Sequence, residues 1–283
     1  MKIPSKYLIN FIKSAIEEDV GAGDFTSLAC IPVDVIGSAR LLFKEDGILA
    51  GIDVAKAIFF EIDPSLKLEV FFSDGQKIKS GTIIFNVFGH VQSILKAERL
   101  VLNCMQRMSG IATETARLTA LISNTNCKLL DTRKTVPGMR LLDKLAVKIG
   151  GGINHRIGLF DAILIKDNHV DYAGGIKNAI SRSKEYLQKN NLQLPVIIET
   201  RNRKEIDEVL LIGGVDRIML DNFSVEDLKE AVKLVNKKFI TEASGGINEN
   251  NLIEYAETGV DFISMGYLTH TVKNLDISLK ANK

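Results

Sequence analysis

The chain has 283 residues, enough for one large α/β domain or for two domains with a sizeable buried core. Its composition, with 46% hydrophobic and 25% charged residues, is typical of a soluble globular enzyme. The formal net charge of +1 provides no general attraction to nucleic acid or to an anionic membrane, so we expect neither as a partner.

Cysteine usage and the N-terminal segment predict a cytoplasmic protein. Cys30, Cys104 and Cys127 are odd in number and widely spaced, so they form neither a disulfide framework nor a CxxC metal site. Each is interpreted as a small buried apolar residue in a reducing compartment. The N-terminal segment carries early acids and a broken apolar run, unlike a signal peptide. No stretch approaches the roughly 20 apolar residues of a membrane span.

The first part of the chain predicts an α+β domain. Apolar residues at helical spacing within 8–16 predict an amphipathic helix that ends before Gly21. A long helix is predicted from Ile94, with an interruption at Gly110. Between the two helices, Asp-Gly and Ser-Gly turn signals separate strand-like runs at 36–43, 67–72 and 82–89. We therefore predict an N-terminal α+β sandwich domain over residues 1–112.

The rest of the chain alternates apolar runs with helical segments. Unbroken apolar strands between helices favour a parallel sheet covered on both faces, either a barrel or a doubly wound sheet. No GxGxxG fingerprint follows a strand, so we predict a TIM-like α/β barrel over residues 113–270, closed or open with fewer than eight strands. The predicted strands lie at 128–131, 162–166, 196–199, 217–220, 239–243 and 262–265.

The segment 131–169 concentrates cationic charge in an almost neutral protein. It contains seven Lys or Arg and two His residues against four Asp. A pocket with this composition suits a small, multiply anionic ligand such as a phosphate or a carboxylate. The alternative is a solvated basic surface. The glycine-rich turns and the apolar strand within the segment favour a binding site instead.

Polar residues follow nearly every predicted barrel strand. Catalytic residues of α/β barrels lie at the carboxyl ends of the strands, so these groups are expected at one rim. The alternative, that they only cap strands and begin helices, explains Asp221 and Asn222 but not Lys166 or Glu199 after apolar strands. The groups are Asp131 to Lys134, Lys166 to His169, Glu199, Asp221 with Asn222, Ser244 to Gly246, and Gly266.

Two late loops have the pattern of a phosphate site. Backbone N–H groups approach an anion closely where glycine is present. The loops, which could also be simple turns, contain Ser244, Gly245, Gly246, Met265, Gly266 and Tyr267. The three glycines at 150–152 could instead end the preceding helix. Glu199 and Asp221 are either ion-pair partners or ligands for Mg²⁺ and sugar hydroxyls. No zinc spacing and no GxSxG motif is found.

The ordered motifs DTRKT, GGGINHRIGLFDAILIKDNH and EASGGI, at 131–135, 150–169 and 242–247, resemble those of the quinolinate phosphoribosyltransferases. The resemblance covers essentially the whole chain, from EEDVGAGDFTS to SMGYLTHTVKNLDISLK. One departure is the run IIETRN, because Val commonly follows the acid in this family. The acid itself, Glu199, matches.

The resemblance implies a reaction of quinolinate with 5-phosphoribosyl-1-diphosphate (PRPP) and Mg²⁺. The products are nicotinate mononucleotide, diphosphate and CO₂, in NAD biosynthesis. Catalysis is assigned to Lys134, Lys166, Glu199 and Asp221. Arg133, His155, Arg156 and Lys166 would bind the quinolinate carboxylates, and Lys134 with Lys166 would face the diphosphate. The 5-phosphate would lie at the two late loops. Glu199 and Asp221 would bind ribose hydroxyls and hydrated Mg²⁺. Thr132 completes the set of substrate-binding residues.

The resemblance also implies a homodimer with shared active sites. In this family the residue matching Arg99 reaches the partner subunit's site, and the segment matching 271–283 joins the N-terminal domain. From the residues alone, Arg99 could equally be an ordinary helix-surface arginine. Three other functions remain open at this stage. They are a nicotinate phosphoribosyltransferase without decarboxylation, a Schiff-base barrel lyase using Lys166, and a non-catalytic anion-binding paralogue.

Overall fold

The computed structural model describes residues 3–282 and divides into two compact units. Unit 1 contains Met1–Ala116, Thr135–Gly151 and Leu268–Lys283, and unit 2 contains Arg117–Lys134 and Gly152–Tyr267. Within the described residues, no helix is both long and apolar enough to cross a membrane.

The helices and strands alternate along the chain. The helices are α1 (Ser5–Val20), α2 (Phe25–Cys30), α3 (Ile52–Ile62), α4 (Val91–Leu121), α5 (Arg140–Ile149), α6 (Asp167–Ala173), α7 (Ile176–Lys189), α8 (Arg203–Ile212), α9 (Val225–Val235), α10 (Leu252–Ala256) and α11 (Tyr267–His270). The strands are β1 (Ile36–Phe43), β2 (Gly47–Ile48), β3 (Lys67–Val70), β4 (Lys77–Ile78), β5 (Ile83–His90), β6 (Lys128–Leu130), β7 (Ile163–Ile165), β8 (Val196–Thr200), β9 (Arg217–Asp221), β10 (Ile240–Ser244), β11 (Phe262–Ser264) and β12 (Ile277–Ala281).

Unit 1 is an α+β domain built on an antiparallel sheet of order β12–β1–β5–β3. The C-terminal strand β12 pairs with β1 along Ala39 to Phe43. Side chains of the sheet and α3 meet in the core, where the Phe59 and Phe85 rings pack edge to face with centroids 5.9 Å apart. The three predicted strands of this domain are confirmed.

Two predictions from the sequence, those for Gly110 and Cys30, are wrong, and the structure decides the alternative left open for Gly150. Gly110 does not interrupt α4; a Cβ there would overlap the carbonyl oxygen of Lys273, so this glycine permits close backbone packing. Cys30 is exposed, because it ends the short surface helix α2, whereas Cys104 and Cys127 are buried as expected. Gly150 does end a helix, since its N–H donates to the Ala146 carbonyl of α5 at 3.0 Å.

Unit 2 is a parallel six-stranded sheet of order β6–β11–β10–β9–β8–β7. The first strand of the unit lies beside the last, as in a barrel, and helices connect the successive strands β7 to β11. A bridge between Leu130 and Ile153 adds one short parallel partner outside β6. Among the pairings of residues 3–282, none joins Ile153 to β7. The unit is therefore a TIM-like barrel of the open kind.

The strand register places polar residues in layers on one face of this sheet. Glu199, Met219, Glu242 and Phe262 are paired across four adjacent strands. Paired residues share a face, and so do residues two apart on one strand. The paired residues Asp221 and Ser244 therefore form the next layer on the same face, nearer the carboxyl ends.

Candidate active site

All predicted site residues except Arg99 belong to unit 2, where they follow the carboxyl ends of parallel strands or lie within the last residues of those strands. Arg99 lies on the exposed side of α4 in unit 1. The unit 2 residues are Thr132, Arg133 and Lys134 after β6; His155 and Arg156 after the Ile153 bridge; Lys166 after β7; Glu199 in β8; Asp221 in β9; Ser244, Gly245 and Gly246 at the end of β10; and Met265, Gly266 and Tyr267 after β11.

Lys166 and Glu199 form an ion pair at the rim, with Nζ 3.4 Å from Oε2. Lys166 is half exposed and Glu199 is buried. Burial raises the pKa of Glu199 above its usual value, and the negative charge of Asp221 raises it further, whereas Lys166 lowers it. The neighbouring carboxylates of Glu199 and Asp221, with the half-exposed ammonium group of Lys166 beside Glu199, can bind hydroxyl groups or a hard cation.

Arg133 and Arg156 place two guanidinium groups near each other. The pKa of Arg156 is lowered, first by partial burial and then by the positive charge of Arg133, with Asp161 opposing. Like charges held together favour a ligand with two negative groups, and a planar guanidinium pairs with a carboxylate through two hydrogen bonds. Beside Arg133 in the sequence, the Thr132 hydroxyl accepts the Lys134 N–H at 3.0 Å, which shapes the turn after β6.

Buried carboxylates hold the segment that carries His155. Asp131 is fully buried; its Oδ1 accepts the His155 N–H at 2.8 Å, and its Oδ2 accepts from the Asn154 side chain at 2.6 Å. The His155 ring lies with Nε2 3.4 Å from Oε2 of Glu242. Sequence reasoning missed Glu242, although its position two residues before Ser244 on a strand predicts the same sheet face.

The loop after β10 depends on two glycines. Gly245 and Gly246 have positive φ, 91° and 63°, and a Cβ on Gly245 would overlap Oδ1 of Asn222. Asn222 itself donates its N–H to the Ser244 carbonyl at 2.8 Å, so the loops after β9 and β10 are packed together. No atom lies within 4 Å of a Cβ built on Gly246, which leaves open space at this loop. Glycine N–H groups at such a loop can approach a phosphate closely.

The second late loop is attached to the first strand of the unit. Met265 is buried, and its N–H donates to the Leu130 carbonyl at 2.9 Å. This bond continues the β6–β11 pairing and sets the position at which the chain turns into Gly266. The structure thus brings both predicted phosphate-binding loops to the same edge of the sheet, after the neighbouring strands β10 and β11.

Family models match nearly the whole chain. The model described as quinolinate phosphoribosyl transferase, N-terminal domain, matches residues 24–109, and the C-terminal domain model matches residues 111–280. A Nicotiana tabacum protein named quinolinate phosphoribosyltransferase [decarboxylating] 2b, mitochondrial, is 48% identical over 98% of this chain and 83% of its own length.

Bacterial relatives are similar in sequence and in structure. A Bacillus subtilis protein named probable nicotinate-nucleotide pyrophosphorylase [carboxylating] is 38% identical over 93% of this chain and 89% of its own. The solved structure of the nicotinate-nucleotide pyrophosphorylase from Francisella tularensis is 41% identical, with a TM-score of 0.93 over 99% of this chain and 98% of that one.

Proposed function

This chain belongs to the quinolinate phosphoribosyltransferase family, and we propose that it transfers phosphoribose from PRPP to quinolinate with decarboxylation. The products are nicotinate mononucleotide, diphosphate and CO₂. The observation that carries this proposal is the pair Arg133 and Arg156, two neighbouring guanidinium groups at the rim that suit a ligand with two negative charges. Quinolinate is such a ligand.

Each group at the rim has a place in the proposed reaction. Arg133, Arg156 and Lys166, with His155 beside them, hold the quinolinate carboxylates. Lys134 and Lys166 face the diphosphate, and Glu199 and Asp221 bind the ribose hydroxyls. The two late loops hold the 5-phosphate through backbone N–H groups.

The chemistry requires positioning and charge stabilisation more than proton transfer. The quinolinate ring nitrogen attacks the anomeric carbon of the ribose as diphosphate leaves, so the nucleophile needs no protein base. Cations at the diphosphate stabilise the charge that develops on the leaving group. Glu199 and Asp221 stabilise positive charge on the ribose. Once the ring nitrogen is quaternary, the adjacent carboxylate leaves as CO₂, and its electron pair stays on the ring carbon, where the neighbouring cationic nitrogen stabilises it. A proton from water then forms the C–H bond of nicotinate mononucleotide.

A substrate assay tests the proposal directly. Purified protein with PRPP and Mg²⁺ is expected to convert quinolinate to nicotinate mononucleotide and CO₂, followed by chromatography, and to leave nicotinate unchanged. Turnover of nicotinate but not of quinolinate would establish the non-decarboxylating alternative. A borohydride-stable substrate adduct on Lys166 would establish the lyase. The family match favours the first outcome.

Mg²⁺ is the cofactor that the carboxylate pair fits. The ion binds through one or two carboxylates, substrate phosphates and water, and Glu199 and Asp221 supply two oxygen ligands of this type. No group of three His, Cys, Asp or Glu side chains suited to a metal occurs within residues 3–282. The two carboxylates therefore suit a Mg²⁺ ion that binds together with PRPP. When bound, this ion would neutralise negative charge on the diphosphate.

Asp221→Asn is expected to raise the Mg²⁺ concentration for half-maximal activity about tenfold, because one anionic oxygen ligand is lost. Titration of activity with Mg²⁺ at saturating PRPP measures this effect. Calorimetric binding of quinolinate without metal serves as the control and should not change. An unchanged Mg²⁺ titration would remove Asp221 from the metal site.

A homodimer with shared sites is proposed as the working assembly. Arg99 supports it, because this exposed side chain makes no ion pair with the rest of residues 3–282. We expect Arg99→Ala and Lys166→Ala chains each to retain only a small fraction of the activity alone. Co-expressed with two different tags and purified through both, the mixed dimer should regain about half of the activity per dimer, since one of its two sites is intact. An inactive mixed dimer would contradict shared sites.

A further inference from the structure

Glu242 is a fully buried carboxylate in unit 2 that the predicted site does not include. Arg217 donates to its Oε2 at 2.8 Å, and the Arg217 guanidinium stacks on the Phe262 ring, 4.6 Å from the centroid. Burial raises the pKa of Glu242, but the hydrogen bonds and charges of His155 and Arg217 outweigh it, so the pKa lies below its usual value. A buried anion is costly to maintain unless it is paired, and Glu242 is paired with both Arg217 and His155.

Glu242 faces the ring of His155. Nε2 of that ring lies 3.4 Å from the carboxylate, and Nδ1 accepts the backbone N–H of Arg156 at 2.7 Å. A ring nitrogen that accepts an N–H carries no hydrogen, so this geometry assigns the hydrogen to Nε2, which points toward Glu242. Both ring nitrogens are thus directed at protein groups, and the side chain is only 6% exposed.

The backbone of Arg156 is therefore fixed by its neighbour's ring. The N–H of His155 is held in turn by Asp131 at the end of β6. Arg156 lies beside the like charge of Arg133, so the two guanidinium groups repel each other. Bringing such groups together requires a rigid support. The buried hydrogen bond that Asp131 accepts from the His155 N–H and the ion-pair contact of Glu242 with the His155 ring provide one.

We propose that Glu242 is a positioning residue for the dicarboxylate clamp formed by Arg133 and Arg156. It fixes the tautomer and orientation of His155, and His155 fixes the main chain of Arg156 through Nδ1. In this role His155 acts through Arg156. This inference rests on the proposed use of Arg156 to bind quinolinate.

Two substitutions of His155 separate the roles. His155→Asn keeps an oxygen near the position of Nδ1 that can accept the Arg156 N–H, whereas His155→Ala keeps no acceptor. If His155 positions Arg156, the KM for quinolinate should rise about tenfold or more in His155→Ala and be largely restored in His155→Asn, with the KM for PRPP unchanged in both. Equal losses in the two variants would overturn the proposal.

Glu242→Gln tests the carboxylate itself. It preserves volume and should raise the KM for quinolinate about tenfold, and exposed Glu185→Gln on α7 is the matched control that should change nothing. In a His155→Asn background, Glu242→Gln should add little, because the shorter asparagine side chain of that variant does not reach Glu242. Additive effects in this cycle would overturn the proposal.

A measurement without substrate keeps the inference testable if these variants do not fold or if the substrate assay fails. Nitrogen-15 NMR of the imidazoles in the unsubstituted protein at about pH 8, above the ordinary pKa of histidine, should show His155 with a hydrogen on Nε2 and none on Nδ1. A hydrogen on Nδ1 would overturn the positioning role. Failure of quinolinate turnover with the Nε2–H form present would instead reject the proposed substrate and leave the His155 geometry intact.

Discussion

Lys166→Ala is expected to lower kcat/KM by about 100- to 1000-fold, the loss typical of removing one group that stabilises transition-state charge. Lys166 is half exposed and makes its ion pair with Glu199 at the rim, so the fold does not depend on it. The proposed role is contact with both a quinolinate carboxylate and the departing diphosphate. The effect should therefore appear in steady-state kinetics, while the circular dichroism spectrum and Tm stay near those of the unsubstituted protein.

The same substitution should shift the pH dependence of the remaining activity. Lys166 lowers the pKa of Glu199, which burial and Asp221 already raise. Without the ammonium group the pKa of Glu199 rises further, so the carboxylate becomes protonated at higher pH on acidification. The acidic limb of the pH–rate profile should therefore shift to higher pH. Exposed Lys177→Ala on α7 is the control, and full activity of Lys166→Ala would contradict the site described above.

The strands of unit 2 and the polar residues after them could be predicted from the sequence because both signals are local. Apolar β-branched runs indicate buried parallel strands, and the barrel rule assigns chemistry to their carboxyl ends. Glu199 and Asp221 follow directly from this reasoning. The open form of the barrel could only be offered as an alternative, since it depends on whether Ile153 and β7 pair, and no local pattern records that pairing.

Features that depend on distant partners could not be predicted. The sequence predicts a helix break at Gly110 because it does not show that the Lys273 backbone passes against α4. The pair Arg217 and Glu242 requires the register between β9 and β10. Without that register, Glu242 is one acid in a strand, and its contact with His155 is invisible. The site could be located from the sequence, but the buried contacts of Glu242 with Arg217 and His155 could not be predicted.

A second buried ion pair should dominate the stability of unit 1. Asp143 on α5 is fully buried and binds Arg107 of α4 through two hydrogen bonds of 2.8 and 2.9 Å. The same guanidinium donates to the Thr269 carbonyl at 2.9 Å, and the Val136 N–H donates to Asp143 at 3.3 Å. One carboxylate thus fastens α5, the loop before it and, through Arg107, the C-terminal segment.

Asp143→Ala is expected to lower the free energy of unfolding by about 3–5 kcal/mol, because it leaves the mostly buried guanidinium of Arg107 without its counter-charge. Urea denaturation followed by circular dichroism measures the change as a lower midpoint. Asp276→Ala removes the partner of Lys44 in a pair whose side chains are 42% and 50% exposed, and should cost less than about 1 kcal/mol.

The paired substitution Arg107→Met with Asp143→Leu distinguishes a lost ion pair from lost packing. Removing both charges leaves no uncompensated buried ion, so the double variant should be more stable than Asp143→Ala despite carrying two changes. If the double variant is the less stable, the hydrogen bonds of the pair to the Val136 N–H and the Thr269 carbonyl, which only the double variant loses together, matter more than the uncompensated charge of Arg107. The main role of the buried pair would then be to hold α5 and the neighbouring backbone in place through hydrogen bonds.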